Sequence, residues 1–319
     1  MTNIYDDMHC EYGWASGIHY KDCAWIARRW RDRYGTTLSD SDFYICARTP
    51  DTYRCWGPWP NIVSGLWRAL PSGRVYVSDA SQGSVHVYDD IINSDPGKVR
   101  RFDLGFAPEG IWGLDESSIF AWGIRQAGPG DQQPHLARFD GTEWKEIPSP
   151  GFFITKMHGL SADLIYAAGR NGGMARWDGR SWTVFPMPTG EVFSDVFVAG
   201  PDEIYATGHS GSLLEGTANG WTLVTRTVDE RIPYACVIKF ADELFVGGGP
   251  LGLFRRRGQT EELELVQPEA YATHFEARSG ALIVTTPTRL MGSTDGQKFD
   301  STMTDAILKA TNAVDIAER

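Results

Sequence analysis

A chain of 319 residues, 42% hydrophobic and 12% aromatic, can bury a sizeable core and has a globular rather than a disordered composition. Its 30 Lys and Arg against 41 Asp and Glu leave a formal charge of -11, which repels phosphate backbones and anionic headgroups and favours a basic protein or a small cation as partner. Nucleic acid and a membrane surface are therefore excluded as expected partners, and no apolar run is long enough for a spanning helix.

The first residues, "MTNIYDDMHCEYGWASG", carry acids where a secretory signal has basic residues, and no apolar run follows, so a cytoplasmic location is expected. Five cysteines (Cys10, Cys23, Cys46, Cys55 and Cys236) show neither a CxxC pair nor zinc spacing. In the cytoplasm they are expected to be reduced and mostly buried, whereas export would allow a disulfide among the first four. "KDCAWIARRWRDRYG" at 21–35 spaces Trp25, Ile26, Trp30 and Tyr34 among basic residues, which predicts a short amphipathic helix. The aromatic group Tyr53, Trp56, Trp59 and Trp67 makes an interface anchor if exposed and ordinary core if not.

From about residue 62 the chain repeats itself. "GIWGLDESSIFAWG", "KMHGLSADLIYAAG", "DVFVAGPDEIYATG" and "VIKFADELFVGG" each read as an apolar strand, a polar turn with Asp or Glu, and an aromatic strand ending at Gly. Phe120, Tyr166, Tyr205 and Phe245 align at intervals of 46, 39 and 40 residues, and the insertion "IRQAGPGDQQP" at 124–134 accounts for the long first interval. Trp144, Trp182 and Trp221 repeat at 38 and 39, following "DG" or "NG" turns suited to tight hairpins. Four short strands per period of about 40 residues predict an all-β fold, a β-propeller. Flanking segments at 72–90 and 278–300 extend the series to six four-stranded blades over 62–300. A seventh comes from the N-terminal elaboration, residues 1–61, through "SDFYICARTPDTYRCWGPW", closed by a strand from the other end; seven is the expected count and six the alternative. All of this is read as one domain over 1–319, with 301–319 as a C-terminal helix or tail that begins at the cap-like Thr304-Asp305.

"SADLIYAAGRNGGMARWDGRSW" resembles the tryptophan-rich bacterial β-propeller repeats, and "STDGQKF" at 293–299 is similar to the Asp-box hairpin of sialidase-like propellers. The resemblance covers roughly residues 107–300 and implies architecture. Toward activity it implies only a sialidase alternative, which "RIP" at 231–233 echoes but for which no arginine trio can be assigned.

Other motifs carry little chemistry. Recurrent turn acids, Asp115 and Glu116, Asp163, Asp202 and Glu203, and Asp242 and Glu243, offer a ring for a cation or basic partner, or simply satisfy local turns. Arg255, Arg256 and Arg257 face Glu261, Glu262 and Glu264 across a hairpin. The seven histidines lack metal-ligand spacing, so no metal and no cofactor are expected, and Ser210-Gly211 lacks a nucleophile-elbow context. The expected function is a monomeric, non-enzymatic, protein-binding propeller, in its most concrete form a cytoplasmic inhibitor or immunity protein that neutralises a basic toxin. Its candidate contacts are Tyr53, Trp56, Trp59, Asp115, Glu116, Arg125, Asp131, Asp163, Asp202 and Glu203. A glycan-binding or sialidase-like propeller and an assembly scaffold are the alternatives.

Overall fold

Seven four-stranded antiparallel sheets, each an up-and-down meander in chain order, account for the structure. The computed structural model describes residues 9–30, 41–59, 61–93, 99–227, 231–258, 260 and 262–303. In sequence, the sheets are β1 (His9–His19), β2 (Asp22–Trp30), β3 (Asp42–Arg48) and β4 (Tyr53–Trp59); then β5 (Val63–Arg68), β6 (Val75–Asp79), β7 (Ser84–Tyr88) and β8 (Arg100–Asp103). The third holds β9 (Ala107–Asp115), β10 (Ser118–Gly128), β11 (Asp131–Phe139) and β12 (Trp144–Ile147), and the fourth β13 (Ile154–Ser161), β14 (Leu164–Gly169), β15 (Met174–Trp177) and β16 (Trp182–Val184). The fifth holds β17 (Phe193–Gly200), β18 (Glu203–Gly208), β19 (Ser212–Thr217) and β20 (Gly220–Arg226). The sixth holds β21 (Cys236–Phe240), β22 (Glu243–Gly247), β23 (Leu253–Arg257) and β24 (Glu264–Gln267), with a 3-10 turn at Gly249–Leu251. The last is β25 (His274–Arg278), β26 (Ala281–Thr285), β27 (Arg289–Ser293) and β28 (Asp300–Met303).

The chain divides into two compact units, one of residues 1–103 with 276–319, the other of residues 104–275. In the first, both ends of the chain share a core: Ile283 and Leu290 lie in one cluster with Tyr12, Trp25, Cys46 and Cys55. Tyr12 N–H donates to the Pro287 carbonyl at 3.0 Å, and Glu276 accepts from Ser16 Oγ at 3.1 Å and Gly17 N–H at 2.8 Å. The Arg278 guanidinium sits 5.3 Å over the Trp67 ring and donates to the Arg68 carbonyl.

The helix expected at 21–35 is a strand over its described part. β2 lies between β1 and β3, with Trp25 opposite Ala15 on one side and Cys46 on the other, and Cys23, Ala24, Trp25, Ile26 and Ala27 are all buried. A strand covered on both faces shows a continuous apolar run, and the arginines that follow lent it a helical spacing. Those arginines are used across strands: Arg28 pairs with Glu11 at 3.0 Å, and Arg29 with Asp42 at 3.3 Å. Among the described residues the first sheet takes all four of its strands from residues 9–59 and none from the far end. The C-terminal helix or tail expected from Thr304 onward lies outside the described residues, and no α-helix occurs among those described.

The second unit carries the clearest repeat. Trp144, Trp182 and Trp221 stand opposite Phe139, Trp177 and Gly216, the equivalent hairpin position in three successive sheets. Asp140 and Asp178 make the preceding turns by accepting the amides two and three residues on, as Asp295 does in the last sheet. The Asp-box-like stretch at 293–299 thus shares the turn chemistry of ordinary hairpins elsewhere in the chain.

Candidate protein-interaction surface

Within the second unit the first strands of successive sheets run side by side. Thr155 Oγ1 donates to the Phe193 carbonyl at 2.6 Å, Val198 N–H to His158 Nδ1 at 3.0 Å, and Val237 N–H to Asp195 Oδ2 at 3.0 Å. The buried Asp195 carboxyl is raised above the usual range by desolvation, with Lys156 at 4.0 Å opposing that shift. This shared direction puts every first-to-second strand turn at one end of the unit, so Asp115, Glu116, Asp163, Asp202, Glu203, Asp242 and Glu243 are brought to the same end.

Most of these acids are used locally. Asp115 Oδ1 accepts from Ser117 N–H and Oγ, both at 2.7 Å, Asp163 accepts from Ser161 Oγ, and Asp202 from Ala218 N–H. Lys239 donates to Glu203 at 2.7 Å and, with the Tyr205 hydroxyl, holds its carboxyl below the ordinary value. Glu243 pairs with Arg255 and Arg257. The turn chemistry accounts for the repetition of acids, and what remains is a negatively charged rim.

The insertion at 124–134 departs from the repeat in a way its Gly and Pro content hid. It is a strand extension rather than a loop: Ile124, Arg125 and Gln126 pair with Pro134, Gln133 and Gln132, and the turn closes between Gly128 and Asp131. β10 and β11 run to 11 and 9 residues where β14 and β15 have 6 and 4. β9 pairs with β10 only as far as Ile124, and β12 with β11 only from Leu136, so the rest projects as an arm with exposed Gln126, Ala127, Pro129, Asp131, Gln132 and Gln133.

The arm is braced at its base. Arg125 donates to the Gly105 carbonyl and to Glu146, each at 3.0 Å, and Glu146 also contacts His135 Nδ1, whose ring stacks on Phe106. Although burial pushes the other way, the contacts with Arg125 and His135 keep the Glu146 carboxyl below its ordinary value. In a meander the second-to-third strand turn lies opposite the first-to-second, so Arg125 and Asp131 are at the far end from the acidic rim. The structure does not gather the candidate residues of this unit into one site.

In the first unit, Trp56 donates its indole N–H to the Ile91 carbonyl at 2.9 Å, Trp59 packs edge-on against His86 and Tyr88, and Trp67 is buried. Of that group Tyr53 alone is exposed, its ring 5.5 Å from Trp25. Two further features are present, a disulfide that the sequence admitted among its first four cysteines only for an exported protein, and a Ser-His-Asp cluster that left no sequence signal. Cys46 and Cys55, directly opposite on β3 and β4, form a disulfide. Ser84, His86 and Asp79 meet in the second sheet, but hydroxyl and carboxylate both approach Nε2, at 3.2 and 3.4 Å. A proton relay needs them on opposite ring nitrogens. Among the described residues no group of three or more His, Cys, Asp or Glu is placed to hold a metal ion.

No protein-family model matches the chain, and no curated protein does. Among solved structures the chain is similar to YCF48 bound to D1 peptide, at 9% identity and a TM-score of 0.61, covering 89% of this chain and 93% of that one. It is also similar to the WD40 β-propeller domain of Doa1, at 7% identity and a TM-score of 0.63, covering 88% and 94%. A third is PorZ of the Porphyromonas gingivalis type-IX secretion system, at 13% identity and a TM-score of 0.56, covering 76% of this chain and 33% of that one. With seven four-stranded sheets in meander order, these likenesses show the fold, a seven-bladed β-propeller.

Proposed function

We propose that the chain is a non-enzymatic, protein-binding β-propeller, acting as a monomer, and in its finer form an inhibitor that neutralises a basic effector or toxin domain by covering it. The observation that carries this reading is the arm at 124–134, a projecting ribbon in a unit whose other hairpins are shorter. Bracing by Arg125, Glu146 and His135 holds it in one direction, so little ordering is left to be done on binding. The acidic balance supports a basic partner, because complementary charge speeds encounter and penalises wrong partners. That YCF48 is seen with a bound peptide supports the reading by analogy of fold.

The test is co-purification with the products of neighbouring genes, using the full chain and a variant in which residues 125–133 are replaced by Asn-Gly. A stoichiometric partner recovered by the full chain, released by salt and missed by the short-armed variant is the expected result. Recovery of no partner, or equal recovery by both, overturns the proposal.

The cytoplasmic placement belongs to the same proposal. A second reading, favoured by the disulfide between Cys46 and Cys55, is that the binder works in an oxidising compartment.

A further inference from the structure

We propose that the sixth sheet carries a second contact surface, an apolar platform that takes a short partner segment with one or two large apolar side chains flanked by lysine or arginine. The inference rests on the protein-binding reading and adds a place and a chemistry to it.

Three of the large hydrophobic side chains exposed among the described residues belong to or flank the glycine turn of this sheet: Leu251, Leu265 and Tyr271, at 37, 47 and 44% exposure. They come from the turn before β23, from β24 and from the segment after it, and glycines let them approach. Gly249 and Gly252 sit at φ +54° and +107°, a region that disfavours side chains. A Cβ at Gly249 would stand 3.1 Å from Tyr271 Cε2, and one at Gly252 would stand 2.9 Å from both Leu265 Cδ1 and Pro268 Cα. The 3-10 turn Gly249–Leu251 therefore has the tyrosine against its first residue and the leucine and proline against the glycine that follows it. Pro250 and Pro268 are themselves exposed, which makes the surface continuous. Scattered apolar residues need no explanation on a protein surface, but a contiguous patch does.

Charge narrows the occupant. Beside the platform Glu243 and Glu264 each pair with both Arg255 and Arg257, which leaves that group of charges balanced, while Glu262 and Glu269 are exposed. In a chain of net charge -11, a segment carrying its own carboxylates would meet repulsion here, whereas Lys or Arg flanks would be steered in. The patch offers a surface tyrosine, a residue type in which binding energy concentrates, beside two leucines that exclude water from it.

The probe is a synthetic peptide array in which one or two Leu, Phe, Tyr or Trp anchors are flanked either by Lys and Arg or by Asp and Glu, read by fluorescence anisotropy on the full chain. Basic-flanked peptides should bind and acidic-flanked ones should not. Tyr271→Ala and Leu265→Ala should each weaken binding roughly tenfold, and Glu262→Gln with Glu269→Gln should erase the preference for basic flanks. Both apolar residues are exposed, so circular dichroism and Tm should show these variants folded. Binding of neither class, or binding unchanged by Tyr271→Ala and Leu265→Ala, overturns the inference. So does a sedimentation result in which the chain dimerises and Tyr271→Ala abolishes the dimer, since the patch then belongs to a second copy. The short-armed variant separates the two proposals: it should keep peptide binding, and arm-dependent partner capture that survives the patch substitutions would sink this inference alone.

Discussion

Arg138 on β11 and Arg176 on β15 stand opposite Phe120 and Tyr166, and in the next sheet Glu215 occupies the same place, opposite Tyr205. A carboxylate gains nothing from an aromatic face, and here Arg256 from β23 supplies the missing cation, 5.8 Å over the Tyr205 ring and paired with Glu215. Arg256 has a side chain only 1% exposed, so Glu215→Ala would strand a buried charge and should cost roughly 3 kcal/mol in urea unfolding. The double variant Glu215→Arg with Arg256→Leu restores the arrangement of the neighbouring sheets and should recover all but about 1 kcal/mol. If the double variant is as weak as the single, the proposed compensation is wrong. Asp178 offers a test by pH. The amides of Ser181 and Arg180 hold its carboxyl below the ordinary 3.8, so its contribution is present above that value and is lost as pH falls through the lowered one. Asp178→Asn should lower Tm at neutral pH and leave it unchanged in strong acid; a difference that persists there would locate the effect elsewhere.

At the scale of the element, the disulfide between Cys46 and Cys55 ties β4 to β3. It lies in a cluster with Cys23, whose thiol burial pushes up to about 12, so that neighbour stays protonated and cannot attack the bond. With the two cysteines 9 residues apart, reduction should cost about 2–3 kcal/mol, seen as a lower Tm in dithiothreitol. Alkylation of the unreduced, denatured protein should modify no more than three of the five cysteines; modification of all five would dismiss the bridge. The neighbouring strand β2 was illegible as a strand because its run from Cys23 to Ala27 is buried on both faces and shows no alternation. The sheets after residue 107 were legible because their turns demand Asp and Gly at fixed places and their second strands end at Gly. The arm was visible as an interruption, yet its Gly and Pro residues masked the pairing of Gln126 with Gln132. The apolar platform left no local signal at all, since Leu265 and Tyr271 reach the segment of Leu251 only through the close approach that Gly252 and Gly249 permit.

At the scale of the whole molecule, the first unit is assembled from both ends of the chain, and Glu276 shows what that costs. Its carboxylate accepts from Ser16 and Gly17, which lie 260 and 259 residues away, and from Arg278 at 2.7 Å. Bonds to a charged acceptor are each worth about 1.5–3 kcal/mol when the alternative is an unsatisfied donor, so Glu276→Ala should destabilise by on the order of 2–3 kcal/mol. How that loss divides between the two rate constants reports when the ends meet. Contacts this distant in sequence are bought with loop-closure entropy that local meanders never face, so they should form after the individual sheets and be absent from the transition state. In stopped-flow urea jumps, Glu276→Ala should then speed unfolding and leave refolding almost unchanged. A slowed refolding limb would mean that the ends of the chain meet early, with the first and last sheets templating each other rather than closing on finished partners.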